Sequence, residues 1–150
     1  MDRRDFLKKT CGTCAAIGLG TFFLGATLES CKTAAVSVLR TGSANGMISI
    51  PMASLEQSDF KLVRVNNYNY DIAIVKQKPG DYLALLLMCT HAGQALTKAG
   101  SGFFCPLHGS RFSETGEALK GPATDPLQHL PLKIENQNLI IKLDPDYYSS

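Results

Sequence analysis

The chain has 150 residues, of which 45% are hydrophobic, and its formal net charge is +2 at pH 7. This length accommodates one compact domain and a short additional segment, which excludes a second catalytic domain. Because much of the positive charge lies in the first nine residues and the remainder is nearly neutral without a basic stripe, nucleic acid is excluded as a partner.

The N-terminal segment has the layout of an export signal. Its start, MDRRDFLKK, is basic, and residues 11–28 contain no charged side chain. The run from Arg3 to Lys8 resembles the twin-arginine consensus, which directs folded proteins across the bacterial inner membrane. The uncharged run is barely long enough to cross a bilayer and is interrupted by glycine and threonine. We therefore predict that residues 1–35 are a twin-arginine-type signal, with a retained membrane anchor helix as the alternative.

Residues 28–31, Leu-Glu-Ser-Cys, resemble the processing site of bacterial lipoproteins. Cleavage before Cys31 would make this cysteine a lipidated N-terminus. Glu29 departs from the small residue usual at its position, so cleavage elsewhere and a retained anchor stay open. Either a lipid on Cys31 or an anchor helix would hold the protein at the periplasmic face of the membrane.

From Val36 onward, short apolar or alternating runs are separated by turn residues, which is typical of many short β-strands. Proline and glycine within residues 77–81, and asparagine within 135–138, favour two hairpin turns. The pattern predicts an antiparallel all-β domain. The candidate strands are residues 47–50, 61–65, 71–77, 82–88, 130–134 and 139–143.

Between Cys89 and Pro126 the strand pattern gives way to a loop-rich region with many glycines, and long ordered loops are usually functional. Two thiols and two imidazoles in this region indicate a bound metal. Because a Cys and a His alternate along the chain, each motif can span both irons of a 2Fe-2S cluster. The alternatives are a structural zinc site in an interaction module, and unrelated buried cysteines beside hydrogen-bonded histidines. The two motifs are Cys89-Thr90-His91 and Cys105-Pro106-Leu107-His108.

These motifs and their neighbours resemble the two cluster loops and the proline loop of the Rieske family. The resemblance spans about residues 45–143, which we predict to be the Rieske domain. The resembling stretches are Cys89-Thr90-His91-Ala92-Gly93, Cys105-Pro106-Leu107-His108-Gly109-Ser110 and Gly121-Pro122-Ala123.

The resemblance implies a Rieske-type antiparallel β-sandwich with a loop-rich cluster-binding subdomain inserted at about residues 88–125. It further implies one 2Fe-2S cluster per chain, with buried thiolates and with imidazoles at the surface, where a redox partner can reach them. The implied ligands are Cys89, His91, Cys105 and His108. The residues implied to lie next to the cluster are Gly109, Ser110 and Pro122.

Several positions depart from the respiratory members of the family. Gln94 and Leu107 stand where those proteins have an additional disulfide, so we expect a more labile cluster. Phe112 stands where high-potential members have a tyrosine that donates a hydrogen bond to a ligand sulfur, whereas Ser110 is retained. We therefore expect a reduction potential below the top of the Rieske range. Lys98 is expected to be solvated.

These features predict one-electron transfer within an assembly, and the isolated chain has no candidate catalytic residues of its own. The first hypothesis is the iron-sulfur subunit of a complex that resembles quinol:cytochrome c oxidoreductase, with quinol as the donor and a cytochrome c-type acceptor. The second is the Rieske small subunit of an exported molybdenum oxidase such as arsenite oxidase. A soluble ferredoxin for a ring-hydroxylating oxygenase would also tolerate the absent disulfide, but the export signal argues against it.

Overall fold

The computed structural model describes residues 36–149, and in this range the chain consists of β-strands, loops and short 3-10 turns. This confirms the all-β prediction. The 3-10 turns are Met52–Ser54 and Pro145–Tyr147. The strands are β1 (Val38–Thr41), β2 (Met47–Pro51), β3 (Phe60–Val65), β4 (Ile72–Lys78), β5 (Asp81–Leu86), β6 (Thr97–Ala99), β7 (Gly102–Phe104), β8 (Arg111–Phe112), β9 (Ala118–Lys120), β10 (Leu132–Glu135) and β11 (Asn138–Lys142).

The predicted N-terminal signal or anchor helix, residues 1–35 with Cys31, lies outside the described residues. Within residues 36–149, no helix has the length and apolar character needed to cross a bilayer. The domain bounds of 45–143 stay a prediction. The first strand, β1, lies before residue 45.

The strands form three sheets, with the orders β1-β3-β4-β5, β10-β11-β2 and β6-β7-β8-β9. The first two sheets face each other across a shared apolar core and form the sandwich. The pairs within the sheets are antiparallel, as predicted, except that β1 runs parallel to β3. The sequence did not reveal β1, because this four-residue strand has no buried position and contains Arg40.

All six candidate strands are present, with ends that differ by at most two residues. The two predicted hairpins are also confirmed: Gly80 has a φ of 80°, and Asn136 and Gln137 have φ values of 48° and 61°. Positive φ at both central residues is the geometry of a tight two-residue hairpin turn. β10 begins only after Pro131, because proline has no N–H to donate to a sheet.

Residues 72–75 of β4 and 82–86 of β5 are largely buried on both faces, and this explains why these stretches are continuous apolar runs. Along β4, Ile72 and Ile74 contribute to the core of the sandwich. Ala73 and Val75 alternate with them and contribute to a second core on the opposite face. The same alternation occurs along β5.

The second core lies beneath the loop-rich region, residues 88–125, which we call the insert. A large apolar side chain contributes about 1.5–3 kcal/mol when it is fully buried, so the insert is held on the sandwich by apolar packing. The insert also contains the strands β6–β9, which the sequence analysis missed because strands of two or three residues are too short to show a periodic pattern. The buried members of the second core from residue 88 onward are Cys89, Leu96, Phe103, Cys105, Phe112, Ala123 and Leu127.

Lys98 on β6 joins the insert to the sandwich, so the prediction that it is solvated was wrong. Its side chain is only 15% exposed. The ammonium group lies 4.9 Å from the ring centre of Phe60 on β3 and 5.7 Å from that of Phe103 on β7. It also donates a hydrogen bond of 2.6 Å to the carbonyl of Gly100. Lys98 is therefore packed over two aromatic faces as a cation–π contact.

Candidate metal centre

The first motif folds into a tight loop, residues 89–94, which follows β5 in the chain. The N–H of Gly93 donates to the carbonyl of Cys89 at 2.8 Å, and the N–H of Cys89 donates to the carbonyl of Gln94 at 2.8 Å. These two bonds close the loop on itself. They place Cys89 at its foot and leave the intervening residues at its tip.

The second loop, residues 105–110, repeats this closure. The N–H of Gly109 donates to the carbonyl of Cys105 at 3.0 Å, and the N–H of Cys105 donates to the carbonyl of Ser110 at 2.9 Å. Gly93 and Gly109 have φ values of 64° and 81°, a left-handed backbone that glycine adopts without a steric penalty. The two loops are therefore structural equivalents, each with a cysteine at the foot and a histidine further along.

The thiols of Cys89 and Cys105 lie side by side in the second core, and each residue is 1% exposed. Both are free thiols. Burial raises the pKa of Cys105, but hydrogen bonds from the backbone N–H groups of His108 and Leu107, and from the Cys89 thiol, outweigh it. The net pKa is therefore below that of an ordinary thiol. The environment favours the thiolate, which is the form that binds metals.

The imidazoles of His91 and His108 lie beside each other at the tips of the two loops. Their ring centres are 5.0 Å apart, and the ring planes are inclined by 82°. Both histidines are exposed, whereas both cysteines are buried. The four predicted ligands thus form an inner pair of thiols and an outer pair of imidazoles.

A third loop, residues 121–125, is hydrogen-bonded to both of the others. The backbone N–H of Ala123 donates to the hydroxyl of Ser110, which is completely buried, at 3.1 Å. The hydroxyl of Thr90 donates to the carbonyl of Asp125 at 2.8 Å. Pro122, which the sequence analysis placed next to the metal site, lies in this loop and is exposed. The third loop therefore fixes the relative position of the other two.

The donor set fits a two-iron cluster with mixed ligands. A 2Fe-2S cluster with two thiolates and two imidazoles requires one pair of ligands for each iron. The buried thiol pair and the exposed imidazole pair meet that requirement.

Comparison with known families decides between a 2Fe-2S cluster and a structural zinc site. The sequence model of the Rieske 2Fe-2S domain family matches residues 50–131 of this chain. The chain belongs to the Rieske family. It therefore has a Rieske-type 2Fe-2S cluster, and its function is electron transfer through that cluster.

Individual Rieske proteins resemble the chain over different lengths. The cytochrome b6-f complex iron-sulfur subunit of Chlorobaculum thiosulfatiphilum is 31% identical over 142 residues, which cover 93% of this chain and 75% of the relative. The ferredoxin component of a 2,4-dinitrotoluene dioxygenase system from Burkholderia sp. (strain RASC) is 38% identical over 69 residues, or 43% of this chain and 66% of the relative.

A solved structure supports the fold. The plasma membrane Rieske protein PetC3 from Synechocystis PCC 6803 superimposes with a TM-score of 0.51 at 26% identity. The match covers 63% of this chain and 98% of PetC3. The Rieske-type sandwich that the sequence analysis expected is therefore confirmed.

The third histidine, His129, lies apart from the Rieske loops. Its Nε2 atom is 3.2 Å from the carbonyl oxygen of Thr115, and its backbone forms an isolated bridge with Leu85 of β5. These contacts give His129 a structural role outside the predicted ligand set.

Tyr70, which no sequence motif marks, contacts the first Rieske loop. Its hydroxyl donates a hydrogen bond of 2.7 Å to the carbonyl of Gly93. The two residues are 23 positions apart in the chain, and neither local pattern nor motif links them. Only the three-dimensional structure reveals this contact.

Proposed function

We propose that Cys89, His91, Cys105 and His108 hold the Rieske cluster, with the two thiolates on one iron and the two imidazoles on the other. The observation that supports this assignment is the pairing of buried thiols beneath exposed imidazoles on two equivalent loops. When bound, the cluster supplies one-electron oxidation and reduction. The chain shields the thiolates from water and leaves the imidazoles at the surface.

The exposed side of this site is suited to contact a redox partner. Leu107, next to His108, is 57% exposed, and Pro106 and Ala92 are also exposed. This gives the imidazoles an apolar surround, which favours docking of a protein or a quinol against them. Electrons then enter and leave the chain through the same small surface.

We propose that this electron transfer takes place in an exported, membrane-associated complex that resembles quinol:cytochrome c oxidoreductase. The similarity to a cytochrome b6-f iron-sulfur subunit extends over 93% of the chain, so it includes most of the N-terminal segment as well as the Rieske domain. The similarity to a plasma membrane Rieske protein favours the same setting. In this assembly quinol is the electron donor and a cytochrome c-type protein is the acceptor.

Residues 1–35 then serve as the export signal and membrane attachment, and the Rieske domain, about residues 45–143, lies on the periplasmic side. The paired arginines at Arg3 and Arg4 and the uncharged run that follows support export by the twin-arginine route. Attachment is through a lipid on Cys31 or a retained anchor helix.

The histidine ligands are tested by substitution. We predict that His91→Ala and His108→Ala each abolish the Rieske signal in electron paramagnetic resonance of the reduced protein, because each removes one of the two imidazoles on its iron. His129→Ala is the matched control and keeps the signal. A normal signal in His91→Ala or His108→Ala would contradict the proposed ligand set.

Phe112 tests how the site sets its reduction potential. This residue is 1% exposed and shares the second core with both cysteines. We predict that Phe112→Tyr raises the midpoint potential, because a hydroxyl donating to a ligand sulfur stabilises the extra electron. Phe103→Tyr adds a hydroxyl to the same core and leaves the potential unchanged. Protein-film voltammetry measures both variants, and an unchanged midpoint in Phe112→Tyr would refute this explanation.

Purification from the native host tests the proposed assembly. We predict that the affinity-tagged chain, solubilised from membranes in mild detergent, co-purifies with a b-type cytochrome and with quinol:cytochrome c reductase activity. Co-purification with a molybdenum-containing subunit would instead support the oxidase alternative. Recovery in the soluble cytoplasmic fraction, as expected of a dioxygenase ferredoxin, would contradict both.

A further inference from the structure

Besides apolar packing, one side-chain hydrogen bond joins the first Rieske loop to the described part of the sandwich. Tyr70 lies in the connection between β3 and β4, and its hydroxyl donates to the carbonyl of Gly93 at 2.7 Å. Within residues 36–149, this is the one side-chain hydrogen bond between the sandwich and residues 89–94. The other side-chain hydrogen bond of the loop runs from the Thr90 hydroxyl to the third loop.

The bond from Tyr70 acts at Gly93, a residue that takes part in the closure of the loop. Its own N–H closes the loop onto the carbonyl of Cys89. It also adopts a left-handed backbone with φ of 64°, so its peptide groups are fixed in orientation by the turn. A bond to the carbonyl of Gly93 therefore restrains the turn that positions Cys89 and His91.

The connection that presents Tyr70 is itself braced by the C-terminal segment. The N–H of Asn69 donates to the carbonyl of Tyr147, and the N–H of Ser149 donates to the carbonyl of Asn67, both at 2.9 Å. The Tyr70 ring packs edge-on against Tyr147, with ring centres 5.5 Å apart at 81°. Tyr70 thus projects from a well-supported position and is half-buried.

We propose that Tyr70 is a positioning residue that tethers the first Rieske loop to the sandwich and slows release of the cluster. A disulfide between the positions of Gln94 and Leu107 would link the two Rieske loops to each other, so without it the first loop depends more on hydrogen bonds such as that from Tyr70. The proposal rests on the ligand assignment above, since it requires that the tethered loop provides Cys89 and His91.

The test compares Tyr70→Phe with Tyr147→Phe in the cluster-loaded, full-length protein. Tyr70→Phe keeps the aromatic ring and removes only the hydroxyl that reaches the loop. Tyr147→Phe removes a hydroxyl from the same aromatic group, and that hydroxyl has no side-chain hydrogen bond to the described residues of the loop. The measurements are the rate of loss of cluster absorbance in excess iron chelator, the line shape in electron paramagnetic resonance and the melting temperature.

We expect Tyr70→Phe to lose its cluster roughly two- to tenfold faster than the unmodified protein, the range that corresponds to the loss of one hydrogen bond. Its resonance lines broaden because the loop samples more conformations. Tyr147→Phe keeps the original release rate and line shape.

Equal release rates for Tyr70→Phe and the unmodified protein would overturn the proposal. So would equal acceleration in both variants together with equal falls in melting temperature, because that pattern indicates general destabilisation. A wrong ligand assignment is recognised separately, since it appears in the histidine variants whatever residue is present at position 70.

Discussion

Two loops with the same backbone closure meet with Cys89 and Cys105 side by side in the second core, and the other features of the fold support this contact. Strands β4 and β5 must be apolar on both faces, because one face packs against the sandwich core and the other against the core that contains the thiols. Backbone N–H groups directed at Cys105 lower its pKa despite burial. The histidines are then left at the surface, so the same loops bury one pair of the proposed ligands and expose the other.

The insert is attached to the sandwich without a disulfide among the described residues. Apolar packing supplies most of the attachment, and Lys98 adds a cation–π contact between the two parts. The third loop is bonded to the first through Thr90 and to the second through Ser110. Tyr70 links the first loop to the sandwich. Because each contact is individually weak, the rigidity of the site depends on several of them acting together.

The sequence was sufficient for the features that repeat or have a strong chemical signature. Apolar or alternating runs located six sandwich strands and turn residues located two hairpins, and the paired Cys-and-His motifs predicted a ligand set whose members the fold brings together. The sequence was insufficient where a strand is too short to show a pattern or where the residues in contact are far apart in the chain. Strands β6–β9 have two or three residues each, and β1 has no buried position. Lys98 was misjudged because its aromatic partners belong to other strands, and Tyr70 meets Gly93 only after the fold has formed.

The most direct test of the account is electron paramagnetic resonance of the full-length protein, matured in its native host and reduced with dithionite, together with metal analysis. We expect a rhombic signal with the low average g value of mixed cysteine and histidine ligation, a one-electron titration and about two irons per chain. A colourless protein that gives no signal and contains stoichiometric zinc without iron would contradict it.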